Sequence, residues 1–281
     1  MKSARVLLAG WLVLMTAGVC LADDPCYDAV QRGDYDGAVQ ACTRYINSGR
    51  ANPWIDYNNR GIAWRYKGDL DKAVADYSKA IELKPDYYMA YNNRGIVHRL
   101  RNNFDAAIAD YSKAIEIKPD YYQAYNNRGI AWSLKQDQEK AIADYSKAIE
   151  LNPSYSLAYY NRGISWRRKQ QNDKAVADYT KAIEFNPRYA AAYGNRAVAL
   201  ALLGRFKEAL TDAEKGVQLD PNNQTKNRAI LEWVKKKADE AAATTPLQPA
   251  DGTTRLPAAD GTTRPPATDD PNQVPSSNLI R

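Results

Sequence analysis

The side chains best equipped for chemistry in this sequence are amides and guanidiniums, and they recur at a fixed interval. Asn58-Asn59, Asn92-Asn93 and Asn126-Asn127, then Asn161 and Asn195 alone, each run directly into an arginine: Arg60, Arg94, Arg128, Arg162 and Arg196. An asparagine amide donates and accepts hydrogen bonds, and a guanidinium presents a planar fork of donors. The chemistry on offer is therefore recognition of polar groups, not bond cleavage. The participants that catalysis needs are missing from the sequence. Its single histidine, His98, occupies the slot held elsewhere by Trp64, Trp132 and Trp166, which predicts a packed core residue. With no second histidine, no CxxC and no glycine-rich phosphate loop, neither metal ligation nor nucleophilic attack has its minimum set, so no enzyme activity, metal or cofactor is expected.

Stepping outward from these residues, the same words return every 34 positions: Tyr57-Asn-Asn-Arg-Gly61, Tyr91-Asn-Asn-Arg-Gly95, Tyr125-Asn-Asn-Arg-Gly129, Tyr159-Tyr-Asn-Arg-Gly163 and, with drift, Tyr193-Gly-Asn-Arg-Ala197. Tyr57, Gly61 and Trp64 fall on one helical face, and Ala73, Tyr77 and Ala80 repeat that spacing beyond Gly68-Asp69. Each unit is predicted to be two amphipathic helices. Pro85, Pro119, Pro153, Pro187 and Pro221 lack a backbone donor and end each second helix. Small residues let the helix axes approach while the rings fill the margins. One pair cannot cover its own apolar face, so stability requires stacking.

The units 54–87, 88–121, 122–155, 156–189 and 190–223 closely resemble the tetratricopeptide repeat family, with its large-x-x-Leu-Gly-x-x-aromatic, Ala-x-x-x-aromatic-x-x-Ala and Pro pattern. The resemblance implies an all-α, right-handed superhelical solenoid of helix-turn-helix hairpins that binds a protein or peptide. It also implies that the first helix of each pair lines a concave groove. The implied lining residues are Asn58, Asn59, Ile62 and Arg65; Asn92, Asn93, Ile96 and Arg99; Asn126, Asn127 and Ile130; Asn161, Ile164, Arg167 and Arg168; and Asn195 with Val198. A ladder of amides there could pair with the backbone of an extended ligand, with the arginines favouring acidic groups. The alternative is that the asparagines merely repeat with the duplicated unit. One departure is regular: arginine replaces the family's leucine before the glycine, sixteen residues ahead of Asp76, Asp110, Asp144, Asp178 and Asp212. These should pair across each hairpin, and an exposed pair of this kind adds only about 0–1 kcal/mol. The carboxylate-gripping pattern of some family members is not matched, since Ile62 stands where a second asparagine belongs and Met89 and Gln123 where a lysine does.

Residues 23–53 read as a divergent first hairpin. Setting Gly33 against Gly68 brings Cys26 and Cys42 to facing positions, where a disulfide would close a short loop and add about 3 kcal/mol. Residues 224–243 read as a capping helix with Ala229, Ile230, Trp233 and Val234 on one face. The basic start and apolar run of residues 1–22 predict a signal peptide, which would place the protein in a periplasm or outside the cell. The net charge of +6 falls to +4 without Lys2 and Arg5. Its charges alternate along the helices, so nucleic acid is not an expected partner. Membrane contact is expected only through an uncleaved signal or the lysines of the last helix. Residues 244–281, rich in Pro, Thr, Ala, Asp and Gly, are expected to be disordered. Two functions follow: an exported scaffold that holds an extended polypeptide, or a spacer attached through its tail with the groove idle.

Overall fold

Proline and turn residues cut each unit into two helices at the places their backbone preferences require. The computed structural model describes residues 24–220 and 224–244, and within them every regular element is a helix. An N-terminal hairpin, α1 (Pro25–Gln31) and α2 (Tyr35–Asn47), precedes five more: α3 (Pro53–Tyr66) with α4 (Leu70–Leu83), α5 (Tyr88–Leu100) with α6 (Phe104–Ile117), α7 (Tyr122–Leu134) with α8 (Gln138–Leu151), α9 (Ser156–Arg168) with α10 (Asn172–Phe185), and α11 (Ala190–Leu202) with α12 (Phe206–Leu219). A final helix, α13 (Gln224–Thr244), closes the array. The residues before Pro85 and Pro119, Lys84 and Lys118, are extended at φ −143° and −132°, because the proline ring disfavours helical geometry one residue earlier. Within hairpins the chain reverses through a left-handed residue, Gly68 at φ 83° and Gly204 at φ 76°, but Gln136 at φ 65° where no glycine is present. Asp69, Asn103 and Asp137 then cap the second helices by accepting from the backbone N–H three residues on. The predicted signal and tail lie outside the described residues.

Each hairpin closes on one facing pair. A Cβ added to Gly61 would lie 2.7 Å from the ring of Tyr77, and Gly95, Gly129 and Gly163 meet Tyr111, Tyr145 and Tyr179 at the same distance. The glycine is what allows a buried tyrosine to cross the helix pair. In the last hairpin Ala197 and Ala213 take these two positions, and both are buried. In the first, Cys26 and Cys42 take them, fully buried with their Cα atoms 4.8 Å apart and their sulfurs at bonding distance.

The arginines do more than the sequence suggests. Arg128 donates through Nε and Nη2 to both carboxylate oxygens of Asp144, each at 2.8 Å, while its Nη1 reaches the Ser112 hydroxyl of the preceding second helix at 3.0 Å. Arg60, Arg94, Arg162 and Arg196 repeat this on Asp76, Asp110, Asp178 and Asp212, with Thr43, Ser78, Ser146 and Thr180 as third partners. The expectation of an exposed pair is therefore corrected: the Asp144 side chain is only 10% exposed and Arg128 22%. Each arginine joins three helices of two hairpins.

Stacking also bends the array. Consecutive first helices α3, α5, α7, α9 and α11 touch one another, and consecutive second helices make no comparable contact. The first helices therefore form the inner side of the curve. At the far end Ile230, Trp233 and Val234 bury α13 against the last hairpin. Ala229, expected on that face, is exposed; Asn227 is buried there instead, its amide donating to the Gly216 carbonyl at 3.2 Å.

The clamp makes a quantitative demand. Arg128→Leu restores the family's usual residue but leaves Asp144 without its partner, and should cost about 2–4 kcal/mol in urea unfolding. Arg128→Leu/Asp144→Ala should cost clearly less than the two single changes added together; simple additivity would mean the pair does not couple the helices.

Candidate functional site

The inner face is a line of positions four apart on each first helix: Asn58, Ile62, Tyr66; Asn92, Ile96, Leu100; Asn126, Ile130, Leu134; Tyr160, Ile164, Arg168; and Gly194, Val198, Leu202. Its starting half is closed by the protein itself. Asn93 donates to the Oδ1 of Asn58, Asn127 to that of Asn92 and Asn161 to that of Asn126, each at 2.9 Å, and Asn195 donates to the Tyr160 hydroxyl at the same distance. Each asparagine at the second place of a unit thus bonds the first place of the unit before it. The predicted free ladder of amides is instead a set of rungs between first helices, which sit close enough for one amide to reach the next. Asn58, Asn59, Asn92, Asn126, Asn127, Asn161 and Asn195 are buried, and Asn93 half-buried. Ile62, Ile96, Ile130, Ile164 and Val198 are likewise buried in the inter-repeat core. On the first helices four buried amide atoms, Nδ2 of Asn59 and Asn126, Oε1 of Gln123 and Oδ1 of Asn195, have no hydrogen-bond partner among the described residues.

What remains open lies at the turn end of the same face. Tyr66, Leu100 and Leu202 are 37%, 37% and 40% exposed. These residues were not among the predicted lining positions apart from the equivalent Arg168, although the four-residue step from Ile62, Ile96 and Val198 points to them. The arginines divide. Arg99 is buried, Arg65 stacks on the Tyr66 ring at 4.3 Å and is half-buried, and Arg167 is half-buried. Arg168 is exposed; its Nη1 donates to the hydroxyl of Ser133 at 2.7 Å and its carbonyl at 3.2 Å, in the unit where serine replaces the inner arginine. His98 is not core: it is half-buried with Nε2 3.7 Å from Asp110, a carboxylate already held by Arg94. Burial, aided by Arg94 and Arg101, lowers its pKa against the pull of Asp110.

One cluster of ligand-type atoms exists among the described residues: Asp24, Cys26 and Asp56, within 4.8 Å of one another. Its charge is met by Arg50, whose Nη1 lies 2.8 Å from Asp24 and 3.4 Å from Asp56, and the Cys26 sulfur faces Cys42. The arrangement ties the first hairpin to α3. Burial, with Asp24 adding to it, pushes the Asp56 carboxyl up to about 6 despite Arg50. A folded pKa above the unfolded value of about 3.9 means that ionisation opposes folding. The contribution is full below about pH 4 and is lost as pH rises through 6. Asp56→Asn should therefore raise the melting temperature at pH 8, by the equivalent of roughly 1–3 kcal/mol, and change it little at pH 4. An equal shift at both pH values would contradict the assignment.

Among the described residues, then, the molecule is an all-helical solenoid whose polar residues are consumed in holding its units together and whose inner face offers contact surface. Comparison with family models gives the same class. The Tetratricopeptide repeat model matches residues 88–121, 122–155, 156–189 and 190–223, and a second TPR repeat model matches 61–100. The chain belongs to the tetratricopeptide repeat family, a family of non-catalytic protein-interaction modules, and is a scaffold of that kind. Comparison with curated proteins gave no match. Among solved structures, MamA is 26% identical with a TM-score of 0.53, covering 60% of this chain and 92% of its own. PilW, a type IV pilus biogenesis factor, has a TM-score of 0.62 at 21% identity, over 68% of this chain and 88% of its own. YrrB, described as having an unusual peptide-binding site, has a TM-score of 0.54 at 23% identity, over 71% of this chain and all of its own. No described helix is long and apolar enough to cross a membrane.

Proposed function

We propose that this protein is an exported scaffold that holds an extended polypeptide against the inner face of its repeats. The observation that carries the reading is the apolar rim of Tyr66, Leu100 and Leu202, exposed at the end of the same line of residues in three of the five units. A chain laid across the first helices would cover these side chains in succession, with Arg168 between them able to meet an acidic group through charge-assisted hydrogen bonds. The peptide-binding description of YrrB is consistent with that use of the fold. The buried amides contribute rigidity: the face keeps its shape without a ligand, which lowers the ordering cost of binding. Capture from an envelope extract tests the reading. Leu100→Ser/Leu202→Ser, which alters exposed positions only, should reduce partner recovery at least tenfold with the melting curve unchanged. Undiminished recovery would remove the inner face from the account.

Export is supported by the charge and apolar patterning of residues 1–22 and by the placement of the Cys26 and Cys42 sulfurs at bonding distance, since disulfides persist in oxidising compartments. We expect the chain recovered from the envelope to begin at Asp23 and, denatured without reductant, to show no free thiol. Two titratable thiols would place the protein on the reducing side, and an intact Met1 would mean that the signal is retained as an anchor.

A further inference from the structure

A cavity of about 300 Å³ opens on the outer side of the last hairpin, lined by Val176 and Thr180 of α10, Leu200 of α11, and Glu208, Thr211 and Asp212 of α12. Leu200 follows Val198 by two residues, about 200° around the helix, and so points away from the inner face. It holds the place that Trp64, Trp132 and Trp166 hold in other units, and His98 in the second. Trp64 belongs to the cluster that joins Val39 of α2 to Val74 of α4. A lysine of the following helix stands over each indole: Lys72 over Trp64 and Lys140 over Trp132 at 4.4 Å, and Lys174 over Trp166 at 4.5 Å.

The walls of the slot change little between units. Val176, Thr180 and the Arg196–Asp212 clamp have counterparts in Ile142, Ser146 and the Arg162–Asp178 clamp of the unit before. What changes is the ring, which leucine does not supply. His98 shows where a ring nitrogen in this slot comes to lie: its Nε2 is 3.7 Å from the clamp carboxylate of Asp110. In the last unit that carboxylate is Asp212, whose oxygens accept from Arg196 at 2.6 and 2.8 Å and each keep a second lone pair. At the mouth Glu208 stands in place of the lysine. Arg205 forks onto Glu208 at 2.8 and 2.7 Å, which holds a flat guanidinium at the edge of the cavity. Such a group stacks on aromatic faces.

We propose that this cavity takes the indole of a tryptophan presented by a partner polypeptide, stacked on Arg205 with its N–H donated to Asp212. The guest ring then completes the last unit as Trp166 completes the fourth. The site lies on the opposite side of the array from the inner face and does not depend on it. The probe is N-acetyl-5-fluorotryptophan amide, followed by fluorine NMR against the full chain. Its line should broaden saturably with wild type. Leu200→Trp fills the slot from within, and should weaken binding of the probe at least tenfold and raise the melting temperature. N-acetyl-4-fluorophenylalanine amide, which has no ring N–H, should bind at least threefold more weakly than the tryptophan probe. The Leu100→Ser/Leu202→Ser variant should bind the probe as wild type does, whatever becomes of its partner. Absence of saturable broadening, undiminished binding by Leu200→Trp, a lower melting temperature for that variant, or equal binding of the two probes overturns the proposal. So does tenfold tighter binding of free 5-fluoroindole, which would give the cavity to a small molecule, or a wild-type dimer that Leu200→Trp abolishes, which would give it to a second copy.

Discussion

The structure depends on a guanidinium that belongs to two hairpins at once. A tetratricopeptide unit ordinarily places a leucine at the position of Arg60 and its equivalents, and a leucine can only add area. Arginine instead forks onto an aspartate of its own second helix and reaches with its remaining nitrogen to a hydroxyl of the helix before. Because the carboxylate is largely shielded, the geometry matters more than in a surface pair: an aspartate left alone there would be costly, and so would a misplaced one. The fork therefore fixes the angle between the helices of a unit and the register between units. The tyrosine three residues earlier on each first helix, Tyr57 or its equivalent, lies under the guanidinium at 5.3–5.7 Å and excludes water from one side.

With the angle fixed, the crossing point of each hairpin tolerates different fillings. Glycine against tyrosine, alanine against alanine and cysteine against cysteine occupy the same pair of positions in different units. The three are alike in filling the gap from one side or sharing it, and unlike in what they resist. The four glycine units bury a large ring and contribute apolar area; the alanine unit gives that up and is compensated by α13, whose Ile230, Trp233 and Val234 cover the last hairpin. The cysteine unit sits at the other end, where α1 is only seven residues long and is the first helix among the described residues. The ends of a stacked array are its weakest parts, and each is reinforced by a means the interior does not use.

Much of this was legible in the sequence because it is periodic. The 34-residue interval, the prolines and the glycine and tyrosine at matched places gave the helices and their pairing, and alignment of Gly33 with Gly68 brought Cys26 opposite Cys42. The role of the asparagines was not legible, since a residue repeated every 34 positions has the same pattern whether it points to solvent or to the next unit. Only the separation of consecutive first helices distinguishes the two, and that depends on side chains in both. His98 misled for a related reason: sharing a slot with tryptophan implies a similar place, but the tryptophans are themselves only half-buried. Gln136 and Gln170 hold left-handed backbone that favours glycine, so the reversal there is imposed by the packing of the helices on either side and not by the turn residue. Ala229 was misplaced by one helical step because Asn227 found a backbone carbonyl to bond.

These distinctions divide the first helix into positions that build and positions that can discriminate. Places filled alike in nearly every unit, the asparagines, the branched residue one turn on and the clamp arginine, are buried or bonded within the array. The last turn differs from unit to unit: Arg65-Tyr66, Arg99-Leu100, Ser133-Leu134, Arg167-Arg168 and Ala201-Leu202. Variation placed at the exposed end of an otherwise uniform face gives each unit a different contact while leaving the spacing between units constant. An extended ligand would then be read by the order of apolar and acidic groups along it, at intervals set by the helix spacing, whereas a compact ligand would meet only one or two of these sites. The rigidity supplied by the clamps makes that reading a matter of register.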